Sequence, residues 1–153
     1  MTERLWALAD EAATHALGRR FAAALDGGGM VVHLHGELGA GKTTFARALL
    51  GALGVGERIK SPTYSLVERY DAQGRPAWHL DLYRIADPGE LEWLGLDALA
   101  DQTALVLVEW PERGRGALPA ADLTLHLAYA DGGRQARLQA HTARGRDFLG
   151  RVP

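Results

Sequence analysis

The chain has 153 residues and a formal charge of −2 at neutral pH, from 17 basic and 19 acidic side chains. This length suits a domain with its own core, and we expect residues 1–153 to form a single domain. The absence of cysteine excludes disulfides and thiolate metal sites, and the balanced charge excludes a broad cationic surface for nucleic acid. No apolar run reaches membrane-spanning length, so we expect a soluble cytoplasmic protein.

The first predicted element is one helix, which Thr2 caps and which ends near Leu25, before the turn at residues 26–29. The prediction depends on apolar residues that recur at helical spacing. The residues near one face of this helix are Leu5, Leu8, Ala12, His15 and Phe21.

An apolar run of strand length occupies residues 30–35, and good helix formers continue from residue 45 until Gly54. Between them, residues 36–43 fit the pattern G-x-x-x-x-G-K-[ST] of a phosphate-binding loop. Glycines in such a loop let successive backbone N–H groups converge on phosphate oxygens, at the positive end of the following helix. The motif therefore predicts a site for a nucleoside triphosphate with magnesium.

Within this loop, Lys42 is expected to contact the β- and γ-phosphates, and the hydroxyl of Thr43 to bind magnesium. Lys42 and Lys60 are the only lysines, so arginine is the general cation and lysine is used where a compact charge is needed. The residues expected to contact the nucleotide in this stretch are Glu37, Leu38, Gly39, Ala40, Gly41, Lys42, Thr43 and Thr44.

Two strands are predicted next, at residues 63–70 and 78–83, joined as a hairpin by residues 71–76. A short helix should follow, with Asp87 as its cap and Pro88 at its first position.

Residues 104–108 form a continuous apolar run, which is typical of a strand buried on both faces of a parallel sheet. Two further strands, at 123–129 and 135–141, flank a turn at 131–133. Together these elements predict a three-layer α/β fold, whose mixed sheet is parallel around the phosphate loop and antiparallel at its margins.

The run at 104–108 delivers Glu109 at its carboxyl end, where ligands bind in open α/β sheets. We predict that Glu109 holds magnesium directly or through water, as in a Walker B element; the alternative is an ordinary acidic residue at a strand exit. Asp81, on the polar face of the strand at 78–83, is a candidate to orient water or accept its proton, or belongs to a solvated face. His79 shares that face without metal-ligand spacing, so it is expected to pack or to form hydrogen bonds.

Two proline-containing segments leave alternatives open. Residues 61–63 stand where a switch ordered by the γ-phosphate occurs in several nucleotide-binding proteins, although spacing alone favours a plain proline turn. Trp110 and Pro111 are candidates to shield a nucleotide or to anchor a partner, and buried packing explains them equally well.

Six segments, in this order and spacing, resemble the bacterial TsaE family, formerly YjeE, of ATPases in tRNA threonylcarbamoyladenosine biosynthesis. The phosphate loop alone is shared by countless proteins, but its combination with the other segments is specific to this family. The segments are residues 10–18, GELGAGKTT at 36–44, SPTYSLVERY at 61–70, HLDLYRI at 79–85, DPGELEWLG at 87–95 and VEWPERG at 108–114.

The resemblance implies a P-loop NTPase-like fold and a cytoplasmic ATPase that uses ATP and Mg²⁺ and acts with TsaB and TsaD. In that family TsaD transfers a threonylcarbamoyl group to adenosine 37 of tRNAs reading ANN codons, while the ATPase drives the cycle of the complex. Contact with tRNA is therefore expected only through the complex. The residues that the resemblance assigns are Lys42 and Thr43 to phosphate and magnesium, Glu109 to magnesium, Asp81 to hydrolysis, and Glu11 and Arg134 to the border of the nucleotide.

Three other classes of protein are weighed against this one. A GTPase needs a guanine-reading [NT]-K-x-D segment, and Lys60, the only lysine outside the loop, does not stand in one. A small-molecule P-loop kinase usually needs an arginine-bearing lid, and no lid insertion is evident. The third class is a nucleotide-dependent assembly module without an essential hydrolysis step. Without a lid, we expect the isolated chain to hydrolyse ATP slowly, with Arg84 and Arg113 as candidate internal donors.

Overall fold

The computed structural model describes residues 2–55, 66–94 and 96–153. In these ranges three α-helices and three short 3-10 helices accompany a seven-stranded sheet. The strands are β1 Glu3–Leu8, β2 Met30–His35, β3 Val67–Ala72, β4 Arg75–Asp81, β5 Leu105–Glu109, β6 Leu123–Ala130 and β7 Gly133–Ala140. The helices are α1 Glu11–Ala24, α2 Lys42–Ala52 and α3 Ala143–Arg151, with 3-10 helices at Pro88–Leu94, Leu96–Ala100 and Pro111–Gly114.

The sheet has the strand order β1-β7-β6-β2-β5-β4-β3. Strands β6, β2, β5 and β4 are parallel neighbours, whereas β1 with β7, β7 with β6 and β4 with β3 are antiparallel pairs. The prediction of a parallel centre with antiparallel margins is therefore confirmed. In the described ranges, none of the helices is both long enough and apolar enough to cross a membrane.

Two apolar clusters cover the sheet, which gives the three predicted layers. One cluster joins the three α-helices to the sheet and contains Phe21, Phe45 and Phe148. The second packs the 3-10 region, including Leu91 and Leu99, on the opposite face of the central strands. Strand β5 is buried along its whole length because it contributes side chains to both clusters.

The predicted N-terminal helix is wrong over its first part, because residues 3–8 form the edge strand β1. Its partner is β7, with Glu3 opposite Gln139. The segment has period-two burial, with Leu5 58% exposed and Leu8 buried. Helix α1 starts later and is capped by Asp10, whose Oδ1 accepts a hydrogen bond from the N–H of Ala13 at 2.9 Å. The local pattern of apolar residues is compatible with a helix or a strand, and pairing with the distant strand β7 selects the strand.

Both predicted hairpins are confirmed, with tighter turns than the sequence indicates. Between β3 and β4 the turn residues are Gln73 and Gly74, with φ of 59° and 85°. Between β6 and β7 they are Asp131 and Gly132, with φ of 45° and 81°. Two successive residues with positive φ are typical of the turns that match strand twist, so the strands extend into the predicted loops. Residues 63–65 of the first predicted strand lie outside the described residues.

The predicted short helix is present as the 3-10 helix Pro88–Leu94, and Asp87 Oδ1 accepts a hydrogen bond from the N–H of Gly89. Helix α3 was not predicted. The hydroxyl of Thr142 caps it by accepting from the N–H of Gly145, and Phe148 on its inner face lies 5.2 Å from Phe21, centroid to centroid.

Phe21 of α1 joins the elements around the phosphate loop. Its ring makes edge contacts with Phe45 of α2, at a centroid distance of 4.9 Å, and with Trp6 of β1 at 6.0 Å. The two helices approach closely at Gly18, where a Cβ would lie 2.8 Å from the Cβ of Ala48. This packing fixes the position of α2 and of the phosphate loop that leads into it.

Asp122, which directly precedes β6, is a buried carboxylate that ties α3 to the sheet. It accepts hydrogen bonds from the N–H of Val31 (2.8 Å), the hydroxyl of Thr142 (2.7 Å) and Nε of Arg144 (2.9 Å). Burial opposes ionisation, but these hydrogen bonds, led by that of Arg144, outweigh it and lower the pKa of Asp122.

We expect Asp122→Asn to lower the free energy of unfolding by about 1 to 3 kcal/mol near pH 7, because a charge-assisted buried acceptor is lost. A lowered pKa contributes stability that is full above the ordinary Asp pKa and is lost as the pH falls through the folded-state value. The difference between wild type and Asp122→Asn should therefore shrink below about pH 4. Urea unfolding at several pH values measures this difference in stability, with Asp147→Asn on the exposed face of α3 as control. Equal urea midpoints for wild type and Asp122→Asn at pH 7 would contradict the stabilising role of Asp122.

Candidate functional site

The candidate site is built on residues 36–41, which connect the central strand β2 to helix α2. Gly36, Gly39 and Gly41 have φ of 153°, 81° and 111°, a region that favours glycine. A Cβ at Gly36 would lie 2.5 Å from the carbonyl oxygen of Leu127 on the neighbouring strand β6. Only a residue without a side chain fits this approach, so the loop can turn tightly and direct the N-terminus of α2 into the cavity beside it.

Lys42, the first residue of α2, is 4% exposed although it carries a charge. Its Nζ donates to the carbonyl of Glu37 at 2.9 Å and to that of Gly36, and it lies 4.2 Å from the ring centroid of Trp110. Burial lowers the pKa of Lys42, while the charges of Glu109 and Asp81 oppose that shift. The structure thus holds a compact cation at the base of the loop.

Glu109, at the carboxyl end of β5, is 2% exposed and is held from two sides. The hydroxyl of Thr43 donates to Oε1 at 2.7 Å, and Nε2 of His79 lies 2.6 Å from Oε2. The predicted magnesium pair, Thr43 and Glu109, is therefore in direct contact. The His79 contact agrees with the prediction of a hydrogen-bonding histidine, but the sequence did not indicate that its partner is Glu109.

Asp81 lies directly opposite Glu109 in the parallel pair of β4 and β5. Its Oδ1 accepts a hydrogen bond from the N–H of Tyr83 at 3.1 Å. Burial, and next the charge of Glu109, raise the pKa of Asp81. A half-buried carboxylate with a raised pKa beside a second carboxylate is suited to contact water or its proton.

The cavity lined by Lys42, Thr43, Asp81 and Glu109 has a volume of about 320 Å³, which is within the usual range for a small-molecule site. Trp110 forms part of its wall with φ of 58°, and its ring lies 5.1 Å from that of Tyr83. The lining residues are Leu38, Gly39, Gly41, Lys42, Thr43, Thr44, Leu66, Asp81, Tyr83, Arg84, Glu109 and Trp110.

A second cavity, of about 150 Å³, lies beside the same loop and shares Gly39, Gly41 and Thr44 with the first. It brings together Glu11, at the start of α1, and Arg134 of β7, the two residues that were assigned by resemblance alone. The Arg134 guanidinium lies 4.0 Å from the ring centroid of Tyr129, and its Nη2 donates to the carbonyl of Gly39 at 3.4 Å.

The remaining predicted loop residues differ in exposure. Leu38 is 67% exposed at the tip of the loop, Glu37 is also exposed, and Ala40 is buried in the core beneath. The backbone N–H of Ala40 donates to the carbonyl of Glu37 at 3.0 Å, which closes a turn inside the loop. The predicted Ser61–Thr63 segment lies outside the described residues.

The two arginines considered as internal donors have different environments. Arg84 lines the larger cavity. Arg113 donates to the carbonyl of Ile85 at 3.3 Å and lies against the rings of Tyr83 and Trp110, at 5.5 and 5.8 Å from their centroids. The structure therefore places Arg84, and not Arg113, at the wall of the cavity.

The fold and the loop define a protein of the P-loop NTPase-like class. Over 99% of its length this chain superimposes on 95% of the crystal structure of YdiB from Bacillus subtilis, with a TM-score of 0.80 and 27% identity. Residues 8–137 match the model of a family described as threonylcarbamoyl adenosine biosynthesis protein TsaE. The chain belongs to the TsaE family.

Two relatives are called tRNA threonylcarbamoyladenosine biosynthesis protein TsaE. The Haemophilus influenzae protein is 43% identical over 120 residues, which are 78% of this chain and 76% of the relative. The Nostoc protein is 36% identical over 138 residues, 86% of this chain and 82% of the relative. The resemblance noted from the sequence is thereby confirmed.

We expect Gly36→Ala to destabilise the chain more than Gly74→Ala and to abolish nucleotide binding. Both glycines have positive φ, which costs an L-residue roughly 1 to 2 kcal/mol, but only the Gly36 substitution adds a clash with a backbone oxygen. At Gly74 no atom lies within 4 Å of the added Cβ. Urea unfolding and nucleotide titration measure the two effects. Equal losses for the two variants would show that the approach to Leu127 does not constrain the loop.

Proposed function

We propose that this chain is a magnesium-dependent ATPase that acts with TsaB and TsaD in the formation of threonylcarbamoyladenosine at position 37 of tRNA. The observation that carries the proposal is the contact between Thr43 and Glu109 beside the buried Lys42. Glu109, 66 residues further along the chain, meets the adjacent Lys42 and Thr43 at one loop, and together they have the chemistry of a phosphate and magnesium site. Membership of the TsaE family and the names of its members support the pathway and a cytoplasmic location.

The triphosphate of ATP would occupy the larger cavity, because that cavity contains the glycine loop and Lys42. Backbone N–H groups at the start of α2 would bind phosphate oxygens, and Lys42 would exchange contacts with its own loop carbonyls for contacts with the β- and γ-phosphates. The nucleoside would then extend toward the second cavity, which lies beside the same loop, between Glu11 and Arg134.

The donor atoms at the proposed metal position fit magnesium, which prefers oxygen ligands. Thr43 Oγ1 and Glu109 Oε1 lie 2.7 Å apart and are the two protein ligands that we assign. In the described part of the chain no cluster of three or more histidine or acidic side chains is arranged to hold a metal. Such a site would therefore need phosphate and water oxygens as its other ligands. When bound, magnesium would neutralise charge that develops on the β- and γ-phosphate oxygens.

Asp81 is assigned to the water. It lines the same cavity as Lys42 and Glu109. Its raised pKa makes the Asp81 carboxylate a better proton acceptor than an ordinary aspartate. The hydrogen bond from the N–H of Tyr83 fixes Oδ1 and leaves Oδ2 to orient the attacking water.

We expect Glu109→Gln and Asp81→Asn to retain ATP binding while phosphate release falls at least tenfold, since each change keeps the shape and removes one charge. Lys42→Ala should instead lose both, because a charge-assisted contact contributes roughly 1.5 to 3 kcal/mol. Calorimetric titration of ATP and a phosphate-release assay with TsaB and TsaD present separate the two classes.

The matched control is Glu112→Gln, which changes an exposed carboxylate that pairs with His35 and does not line the cavity. Wild-type hydrolysis by Glu109→Gln or Asp81→Asn would overturn the role of that residue. Unchanged ATP affinity of Lys42→Ala would overturn the phosphate site.

We expect the isolated chain to hydrolyse ATP slowly and TsaB with TsaD to accelerate it. An arginine supplied by a partner can raise the rate of phosphoryl transfer by about 10³ to 10⁵. Within the chain, Arg113 is engaged by Ile85 and two aromatic rings. Phosphate release at saturating ATP and magnesium, with and without the partners, measures the acceleration against Lys42→Ala as background. A fast isolated enzyme that its partners leave unchanged would contradict it.

A further inference from the structure

His79 lies one step below the proposed magnesium site, on the same face of the sheet as Asp81 and Glu109. Strands β4 and β5 are parallel, with Asp81 opposite Glu109 and His79 opposite Leu107. The side chains of His79 and Glu109 are 0% and 3% exposed. The imidazole therefore cannot reach a ligand in the cavity, and its contact with the site is through Glu109.

The direction of the contact follows from hydrogen-bond chemistry. Glu109 accepts a hydrogen bond from the hydroxyl of Thr43. With Glu109 ionised, as a magnesium ligand must be, its carboxylate only accepts, so Nε2 of His79 donates to Oε2. Nδ1 of His79 is buried without a hydrogen-bond partner in the described part of the chain. The hydrogen-bond partner found for the buried ring of His79 is one carboxylate oxygen of Glu109. If the ring only filled space, an apolar side chain would do so without the free-energy cost of burying an unpaired polar atom.

The two contacts on Glu109 divide its oxygens. His79 holds Oε2 at 2.6 Å, and this fixes the rotation of the carboxylate so that Oε1 faces Thr43 at 2.7 Å. We propose that His79 is a positioning residue that sets the magnesium affinity of the Thr43 and Glu109 pair. This inference rests on the proposed function, because it takes those two residues as metal ligands. Partners that orient metal ligands commonly change metal affinity by about 10- to 100-fold.

The test compares three substitutions with different reach. His79→Gln places an amide N–H near the position of Nε2, His79→Asn places it one bond short, and His79→Leu removes the donor. Any general cost of a polar amide in this buried position affects Gln and Asn alike. The matched control is His33→Gln, since His33 is a half-buried histidine of β2 that does not line the cavity.

The readout is the apparent affinity for Mg²⁺ at saturating AMP-PNP, together with nucleotide affinity in EDTA. We expect His79→Leu and His79→Asn to weaken Mg²⁺ binding about 10- to 100-fold and His79→Gln to recover most of the loss. Nucleotide affinity in EDTA should stay within about twofold of wild type, because the phosphate contacts of the loop and Lys42 are intact. Wild-type Mg²⁺ affinity in His79→Leu, or equal loss in Gln and Asn, would overturn the inference.

A second measurement needs no metal or nucleotide. The ¹⁵N–¹H correlation spectrum of the His79 ring should show a proton on Nε2, and its proton signal should move upfield in Glu109→Gln. A proton on Nδ1 alone would overturn the inference even if the ATPase assignment stands. Conversely, if ATP binding and hydrolysis by the wild-type protein do not depend on Mg²⁺, both the proposed function and the metal role of His79 are overturned.

Discussion

The carboxylate of Glu109 is almost entirely removed from water at the carboxyl end of β5, and the site is arranged around that constraint. A buried charge is tolerated only when hydrogen bonds and opposite charge compensate for lost hydration. Thr43 and His79 supply hydrogen bonds, and Lys42 supplies the nearby positive charge. These residues come from β5, β4 and α2, so the constraint is met only when all three elements are in place.

The scaffold meets this requirement by fixing α2 over the sheet. The absence of a side chain at Gly18 lets α1 and α2 approach closely, and Phe21 packs against both α2 and α3. A displacement of α2 by about one ångström away from β5 would carry Thr43 beyond hydrogen-bonding distance of Glu109. The aromatic cluster on one side of the helix thus protects the polar geometry at its end.

The sequence was sufficient where the structure is local. The phosphate loop, the buried strand ending at Glu109 and the turns near Gly74 and Gly132 each depend on a few adjacent residues with distinctive backbone or burial preferences. The sequence was not sufficient for features that depend on residues far away in the chain. Residues 3–8 become a strand only because β7 lies beside them, and the hydrogen bond of His79 depends on a register between two strands.

The pairing of β1 with β7 has a consequence for the order in which the chain can fold. Glu3 pairs with Gln139, so β1 leaves a ribosome long before its partner strand has been made. Until then Trp6 and the inner face of α1 lack the contacts that β7 and α3 provide. Pairs so far apart in sequence carry a large closure entropy and slow folding. The segment that contains β1 and α1 therefore offers a chaperone a long time to act before its partner elements are made.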